Sequence, residues 1–479
     1  MSTGKIDWSS LWKKEDWWAL WLGLVLFFYA FIGFWTYADA LGWVPMWTKW
    51  TDPGKAFAVP NPKLVFGSPW VNLVVAWLVL MLLLAGPAKL IGVKFGDWVK
   101  GFSIIYWLWW LCAFVIGYKP IADVVTTEFA FTLALFVGML LGNLPRVPQW
   151  LLGSARGEWF IKTAIVLLGA KILFTDWIRY GGAVLTMVLM SFPVFMLLAF
   201  PIFRLFTRNT DLSVVAAVGV GVCGVSASIA AAGAIGAPAI YPTMVSAAIL
   251  IYAAVELVIL PWVGISLVKA GVMSPAAAGA WMGLSVKTDG AAAASAEIVA
   301  RGVGSDVPLS VGVMSKVLID IWIGVIAFVL ALIWVFIVET RRAAAVQRAG
   351  VEAKANPGVE RRRPSPLELW FRFPKFVLGY FFTSIVVSLL IMHLAGTVYA
   401  SQQNPVDAAT KAVVPVVVNR GTDPFRVLLF GLTFVAIGIN TRFSLMKQYR
   451  VWNLFIAYGI ALLIIIGLAY LISTSFFPK

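Results

Sequence analysis

Long uninterrupted runs of apolar residues are the feature of this sequence that most restricts its fold. The first run, from Trp17 to Tyr37, already has the length of about 20 residues that an α-helix needs to cross a bilayer. Over the 479 residues, 61% are hydrophobic and 12% are charged, whereas soluble domains carry about twice that share of charge. The runs are also too long for the strands of an outer-membrane barrel. The sequence therefore predicts an all-α polytopic membrane protein.

Counting the apolar runs predicts about thirteen spans. Their ranges are 17–37, 70–91, 103–118, 127–143, 159–176, 181–205, 212–235, 239–266, 276–300, 308–338, 374–399, 424–440 and 450–474. An arginine-rich segment over 339–373 is predicted to be a cytoplasmic linker, because basic residues collect on the cytoplasmic side of spans. This orientation places the N-terminus inside and the C-terminus outside. The first run lacks a small-residue cleavage site, so a cleavable signal peptide is not expected.

The number of spans allows an internal symmetry. When residues 1–126 are set aside as tryptophan-rich accessory helices, ten spans remain, five over 127–266 and five over 276–338 and 374–474. The two groups start on opposite sides of the membrane. The predicted core is therefore a pair of inverted five-helix repeats, in which broken helices cross near the midplane, a plan that recurs in secondary transporters.

A dense cluster of glycine residues indicates where one crossing helix breaks. Gly219, Gly221 and Gly224 fall within six residues, directly before Ser226 and Ser228. Glycine permits non-helical backbone angles, and the restarting helix would direct free N–H groups and a positive dipole end at an anion. The two serine hydroxyls would add neutral donors. The alternative is that these small residues only allow close helix packing.

The corresponding helix of the second repeat is predicted over 424–440, where Gly438 precedes Asn440 and Thr441. A break at this glycine would bring two further hydrogen-bond donors to the site from the opposite direction. The alternative is that Asn440, Thr441 and Arg442 simply end the helix and form its basic flank.

Charged residues at membrane depth are the third signal, because each needs a partner or a water-filled cavity. Lys287 and Lys316, together with the half-helix N-termini, are predicted to neutralise a divalent anion. Asp289, Asp320 and Glu256 are predicted to serve coupling or proton transfer. Lys316 and Asp320 are one helical turn apart and could instead form a structural ion pair. Glu256 could instead make a structural hydrogen bond to a neighbouring helix.

The remaining residue types exclude several classes of function. Cys112 and Cys223 lie in apolar runs and His393 is the single histidine, so no disulfide framework, metal site or cofactor is predicted. The charge of +15 fits cytoplasmic flanks facing anionic lipid, and no nucleic-acid partner is expected. An intramembrane hydrolase based on Ser226 and His393 is disfavoured, because such a dyad needs the two residues in contact. A scaffold protein would not need charges at membrane depth, and no enzyme activity is expected.

Five motifs carry a resemblance to a known family. They are Leu167-Leu-Gly-Ala-Lys171, Gly221-Val-Cys-Gly-Val-Ser-Ala-Ser228, Gly279-Ala-Trp-Met-Gly-Leu-Ser-Val286, Ser315-Lys316 and Ala436-Ile-Gly-Ile-Asn440. Over roughly residues 127–474 the chain resembles the bacterial sulfate exporter family. The resemblance implies a ten-helix secondary transporter with an architecture related to bile-acid symporters and cation–proton antiporters.

The resemblance also assigns positions. It matches Cys223, Gly224, Ser226 and Ser228 to the family's cysteine-glycine-serine segment, and Lys316 to the lysine of a later helix. One departure concerns the residues after Val286. Where the family is expected to have histidine, aspartate and threonine, this chain has lysine, threonine and aspartate. Replacing an imidazole by lysine removes the usual switch near neutral pH and leaves the coupling ion open.

The sequence thus predicts a secondary transporter of the bacterial cytoplasmic membrane. It would move a small anion, sulfate-like or another sulfur-containing oxyanion, outward by alternating access at a midplane site. The expected partners are the anion, H⁺ or Na⁺ as the coupling ion, the bilayer and, in a homo-oligomer, further copies of the chain. The alternative is a cation/proton antiporter of the same fold class that uses intramembrane aspartate and glutamate.

Overall fold

The described part of the chain is almost entirely helical. The computed structural model describes residues 10–36, 40–125, 127, 129–238, 240–334, 373–444 and 452–479. Nine of the described helices are long and apolar enough to cross a bilayer. The predicted class, an all-α polytopic membrane protein, is confirmed at this level, while the pair of inverted repeats stays a prediction. Most of the predicted linker over 339–373 lies outside the described residues.

Contacts within the chain define two compact units. Unit 1 comprises Met1–Gly182 and Lys375–Arg442, and unit 2 comprises Ala183–Pro374 and Phe443–Lys479. Both units are therefore assembled from separate stretches of sequence.

Unit 1 contains the first eight helices, a small sheet and three later helices. They are α1 (Ser10–Lys13), α2 (Glu15–Thr36), β1 (Met46–Trp47), β2 (Phe57–Ala58), α3 (Pro69–Leu90), α4 (Phe95–Gly117), α5 (Lys119–Val125), α6 (Phe129–Gly142), α7 (Gln149–Ser154), α8 (Gly157–Gly169), and then α16 (Phe376–Thr397), α17 (Pro405–Val413) and α18 (Asp423–Asn440). A π-helical segment, Val414–Thr422, connects α17 to α18. The two strands are antiparallel, with Met46 opposite Ala58 and Trp47 opposite Phe57.

Unit 2 contains six helices that precede the linker, one that follows it, and part of one other. They are α10 (Thr210–Gly221), α11 (Val225–Ala234), α12 (Ile240–Lys269), α13 (Pro275–Ser285), α14 (Asp289–Val303), α15 (Val307–Ile333) and α19 (Trp452–Phe476). Helix α9 (Phe174–Thr207) begins in unit 1 and continues in unit 2.

The sequence predicts about thirteen spans, and nine helices among the described residues have the length and apolar character of an uninterrupted one. The predicted spans 127–143 and 159–176 correspond to helices of only 14 and 13 residues, α6 and α8. The predicted spans 212–235 and 276–300 are each interrupted and form two short helices. Hydropathy averaged over a span does not detect these interruptions, because the interrupting residues are few and most of their neighbours in the sequence are small or apolar.

The core of unit 1 is built on close helix packing. Gly138 and Gly142 of α6 lie against the backbone carbonyls of Val435 and Ile439 on α18, so that a side chain at either glycine would collide with the neighbouring helix. Small residues permit this close approach between helices in membranes. Trp109 of α4, which the sequence analysis assigned to the accessory helices, is fully buried in this unit.

A group of charges fixes α2 to α8 at one end of unit 1. The Lys162 ammonium donates to the Asp16 carboxylate at 2.8 Å. Lys375, which directly precedes α16, lies over the Trp17 ring at 5.9 Å and is 5% exposed. Burial lowers the pKa of Lys375 to about 8, although the nearby Asp16 carboxylate opposes this shift.

In unit 2, two long helices flank the four short ones. Helix α12 contacts α10, α11, α13 and α14, and helix α15 contacts α11, α13 and α14. Gly283 of α13 faces the backbone of Gly312 on α15, and this close packing brings the next turn of α15 toward the end of α13. Lys316 lies on that turn.

Candidate functional site

The first helix break lies where the glycine cluster predicts it. Helix α10 ends at Gly221 and α11 begins at Val225. Between them Gly224 has φ +79° and ψ −114°, which is a conformation that side chains with a Cβ rarely adopt. The predicted interruption at this glycine is confirmed.

A second break lies within the predicted span 276–300. Helix α13 ends at Ser285 and α14 begins at Asp289, while Val286 and Thr288 are extended, with ψ of 123° and 145°. The Thr288 hydroxyl accepts a hydrogen bond from the backbone N–H of Ala291 at 3.2 Å and so caps α14. This break was not predicted from the sequence. The signal was present as Thr-Asp-Gly before an alanine run, a pattern typical of a helix start.

The break predicted at Gly438 is wrong. Helix α18 is continuous through this residue to Asn440. A Cβ at Gly438 would lie 2.7 Å from the backbone nitrogen of Met139 on α6, so this glycine serves close packing. The Asn440 amide donates to the Ala155 carbonyl at 2.7 Å, and the Thr441 carbonyl accepts from Asn143 at 2.7 Å. Asn440 and Thr441 thus have hydrogen-bond partners within unit 1.

The two breaks meet inside unit 2. A Cβ placed on Gly224 would lie 2.7 Å from the carbonyl oxygen of Lys287, so the two backbones are in contact at this point. The Lys316 ammonium of α15 donates to the carbonyls of Val222 at 3.4 Å, Val286 at 3.1 Å and Lys287 at 3.2 Å. One side chain therefore bridges the C-terminal ends of α10 and α13.

This arrangement gives Lys316 a defined electrostatic role. A helix C-terminus carries roughly half a negative charge, so the two ends together offset about one ammonium charge. Lysine has three N–H donors, and three carbonyls accept from this one. Lys316 is 2% exposed, and its charge is matched by backbone groups that would otherwise be unpaired at membrane depth.

Lys287 has a different environment. It lies within the second break and is 1% exposed, and its ammonium donates to the Leu284 carbonyl at the end of α13. The same ammonium lies 5.0 Å from the centre of the Phe195 ring on α9, which is within the range of a cation–π interaction. The hydrogen bond uses one of its three donors, so Lys287 has more capacity for an anion than Lys316 has.

Acidic side chains surround the breaks. Asp289 begins α14 and is 4% exposed, and Asp320 lies one turn beyond Lys316 and is 1% exposed. Asp289, Asp320 and the thiol of Cys223 each place one potential ligand atom within 4.8 Å of the others. The proximity of Cys223 to these aspartates was not predicted from the sequence, because the three residues are far apart in the chain.

Glu256 lies on α12, 3% exposed and within electrostatic range of both Lys287 and Lys316. The backbone N–H of Lys287, in the second break, also lies within hydrogen-bonding range of the Glu256 carboxylate. The predicted alternative, a structural hydrogen bond to a neighbouring helix, stays a prediction.

The two predicted serines differ. Ser228 is fully buried, and its hydroxyl donates to the Val225 carbonyl of its own helix at 2.8 Å. Ser226 is half-buried and lies in the first turn of α11, where backbone N–H groups lack helical acceptors. Of the two, Ser226 is the better placed to donate to a ligand.

Comparison with known proteins places the chain in a recognised group. A family model described as "Conserved hypothetical protein 698" matches residues 104–457. A UPF0324 membrane protein of Nitrosomonas europaea is 32% identical, over 96% of this chain and 95% of its own length. UPF0324 membrane proteins of Rhodopirellula baltica and Nitratidesulfovibrio vulgaris are each 28% identical, over 83% and 66% of this chain.

The chain spans 66% of the Rhodopirellula protein and 48% of the Nitratidesulfovibrio protein. These names describe membrane proteins and specify no cargo. No solved structure matches the chain significantly.

Proposed function

We propose that this chain, which belongs to the UPF0324 family of membrane proteins, is a secondary active transporter of a small anion. The observation that carries the proposal is the meeting of two helix breaks, bridged by the Lys316 ammonium, inside a unit of apolar helices. Discontinuous helices that meet at membrane depth are a recurring design of transporter sites. A sulfate-like or other sulfur-containing oxyanion as cargo, outward transport and a bacterial cytoplasmic location come from the resemblance to sulfate exporters.

The anion would bind beside the first turn of α11. There the free N–H groups, the Ser226 hydroxyl and the Lys287 ammonium offer donors of positive or partly positive charge. Lys316 would keep the two breaks in place and would not touch the cargo. Alternating access would then expose this site to one side of the membrane at a time.

Glu256 would carry the coupling proton. A carboxyl that is 3% exposed at membrane depth is favoured as a proton carrier, because its charged form is costly there even beside two lysines. Proton uptake at Glu256 would leave more of the Lys287 charge available for the anion. The expected mode is therefore coupled movement of the anion and a proton.

The test is anion flux in proteoliposomes, with labelled sulfate as the first probe and sulfite, thiosulfate, bicarbonate and chloride as competitors. We expect Lys287→Gln to lower kcat/KM for sulfate at least tenfold and Ser226→Ala to lower it several-fold. The matched controls are Lys269→Gln, at the exposed end of α12, and Ser191→Ala, whose buried hydroxyl bonds within α9. If Lys287→Gln transports as the wild type does, this anion site is wrong.

Coupling is tested separately. With equal sulfate concentrations inside and outside the liposomes, Glu256→Gln should still exchange labelled sulfate across the membrane. An imposed pH gradient should no longer accelerate sulfate flux in this variant. If the pH gradient still drives flux in this variant, Glu256 does not carry the proton.

A second candidate is a cation/proton antiporter, with Asp289, Asp320 and Glu256 in place of an anion site. It is favoured by the charges around the breaks, where these three carboxyl groups outnumber the ammonium groups of Lys287 and Lys316. Liposomes that contain a pH-sensitive dye and no permeant anion distinguish the two candidates. Proton movement driven by a sodium or potassium gradient under these conditions would establish the antiporter and exclude the anion transporter.

A further inference from the structure

A cysteine and two aspartates from three separate elements converge beside the helix breaks. The Cys223 sulfur, one oxygen of Asp289 and one oxygen of Asp320 all lie within 4.8 Å of one another. The three residues are 3%, 4% and 1% exposed. Cys223 lies in the first break, Asp289 is the first residue of α14, and Asp320 is on α15.

The fold holds these three residues in position. The Lys316 ammonium binds the carbonyls of Val222, which precedes Cys223, and of Lys287, two residues before Asp289. Lys316 is also one turn before Asp320 on α15. The contacts that join the two breaks therefore fix the backbone next to each of the three ligand atoms.

The donor set has a definite chemical preference. Thiolate sulfur selects soft or borderline cations such as Zn²⁺, Co²⁺ and Cd²⁺, and carboxylates can complete their coordination. In a tetrahedral zinc site, bonds of about 2.0–2.3 Å place ligand atoms about 3.5 Å apart, which small side-chain rotations can reach from the observed separation. Three protein ligands would leave a fourth position for water or an anion.

We propose that Cys223, Asp289 and Asp320 form a binding site for one thiophilic divalent cation of the Zn²⁺ class. Binding replaces the thiol proton with a metal–sulfur bond and releases that proton to solvent. The bound ion would link the first break, the start of α14 and α15, and so hold the two breaks in one arrangement. Its occupancy should slow transport, whichever cargo the protein carries, and the site does not depend on the proposed function.

The structural alternative is a hydrogen bond from the Cys223 thiol to the Asp320 carboxylate, with no metal. The test uses the full chain, purified in detergent and treated with a chelator, then titrated with Co²⁺ or Cd²⁺. We expect one ion per chain and a thiolate-to-metal charge-transfer absorption band. Cys223→Ser should abolish the band, and Cys223→Ser and Asp320→Asn should each weaken binding at least tenfold.

The matched control is Cys112→Ser, which removes the other buried thiol, located in α4 of unit 1. This variant should keep the band and the affinity of the wild type. Absence of the band in the wild type, or its persistence in Cys223→Ser, overturns the proposal and leaves the thiol–carboxylate hydrogen bond as the explanation.

A measurement on the wild type alone guards against variants that fail to fold. X-ray absorption of the zinc-loaded protein should show one sulfur ligand together with oxygen ligands. Coordination by oxygen and nitrogen only would overturn the proposal. Thermal stabilisation by Na⁺ that is lost in Asp320→Asn but kept in Cys223→Ser would also overturn it, and would assign the carboxylates to an alkali cation.

Discussion

Gly224→Ala tests whether the first break depends on a backbone conformation that only glycine tolerates. At this residue φ is +79° and ψ is −114°. The added methyl carbon would lie 2.7 Å from the Lys287 carbonyl oxygen and 3.1 Å from the Ile249 side chain. The substitution thus acts on the angles of the first break and on its contact with the second.

The two effects can be added as an approximate cost. Holding a residue with a Cβ in a sparsely populated backbone region costs about 1–3 kcal/mol. Forcing a methyl group into a filled space costs typically about 1–3 kcal/mol more, and the backbone carbonyl of Lys287 cannot rotate away as a flexible side chain could. We therefore expect the free energy of unfolding to fall by about 4 kcal/mol.

The assay is denaturant unfolding in mixed micelles, followed by tryptophan fluorescence. The matched control is Gly264→Ala in α12 of the same unit, where the added carbon would make ordinary contacts of 3.4 Å with Val299 and 3.5 Å with Met282. Within a helix, alanine is more favourable than glycine by about 0.5–1 kcal/mol, so this variant should be as stable as the wild type or slightly more stable. The two variants should differ by at least about 4 kcal/mol.

Equal unfolding free energies for the two variants, to within about 1 kcal/mol, would refute the reasoning. That result would mean that the first break relaxes freely and that its contact with the second break is not structurally required. A stable Gly224→Ala protein with unchanged sulfate flux would further show that this geometry is unnecessary for transport.

Three other substitutions test separate contacts. Lys316→Met should lower the free energy of unfolding by about 3 kcal/mol or more, because it leaves buried carbonyls at both breaks unpaired. Unchanged stability in a denaturant titration would contradict the bridging role of Lys316. Asn440→Ala should lower the free energy of unfolding by about 1–2 kcal/mol, because the hydrogen bond to the Ala155 carbonyl is lost. The KM for sulfate should stay unchanged. A raised KM would mean that Asn440 contacts the cargo. Lys375→Met tests pH dependence. Burial lowers the pKa of Lys375 from 10.5 in the unfolded chain to about 8 in the folded protein. Between these two pH values the unfolded chain binds more protons than the folded protein does, so the free-energy cost of burying Lys375 falls as the pH rises. Between pH 7 and pH 9 the wild type should therefore gain about 1 kcal/mol relative to Lys375→Met, and a constant difference in melting curves would exclude this shift.

Glycine positions illustrate how much of the fold the sequence could predict. The cluster that ends at Gly224 correctly indicated a break, whereas Gly438 did not, although both glycines precede polar residues. In one case the missing side chain permits a positive φ, and in the other it permits helix α18 to approach the backbone of α6. A sequence shows that a side chain is absent but does not show which neighbour uses the space. The predicted pairing of Gly224 with Gly438 therefore could not be tested until tertiary packing was known.

The second break was missed for a related reason. Its residues, Val286 to Thr288, lie within a stretch over 276–300 whose small and apolar composition is that of a continuous span. Local capping by Thr288 is readable from the sequence, but the extended backbone also needs partners for the carbonyls it exposes. Those partners come from Lys316, on a helix that follows later in the chain.

The role of Lys316 changes the charge available to the cargo. From the sequence, two lysines were expected to neutralise a divalent anion, and in the structure one of them is occupied by the carbonyls of the two breaks. Lys287 then provides one positive charge, and the start of α11 adds roughly half of another. A divalent anion such as sulfate is still not fully neutralised, and desolvating the remaining charge at membrane depth would be costly. A proton on Glu256 would remove a negative charge that competes for Lys287, so we expect at least one proton to move with each sulfate. The ratio of proton flux to sulfate flux in proteoliposomes would measure this.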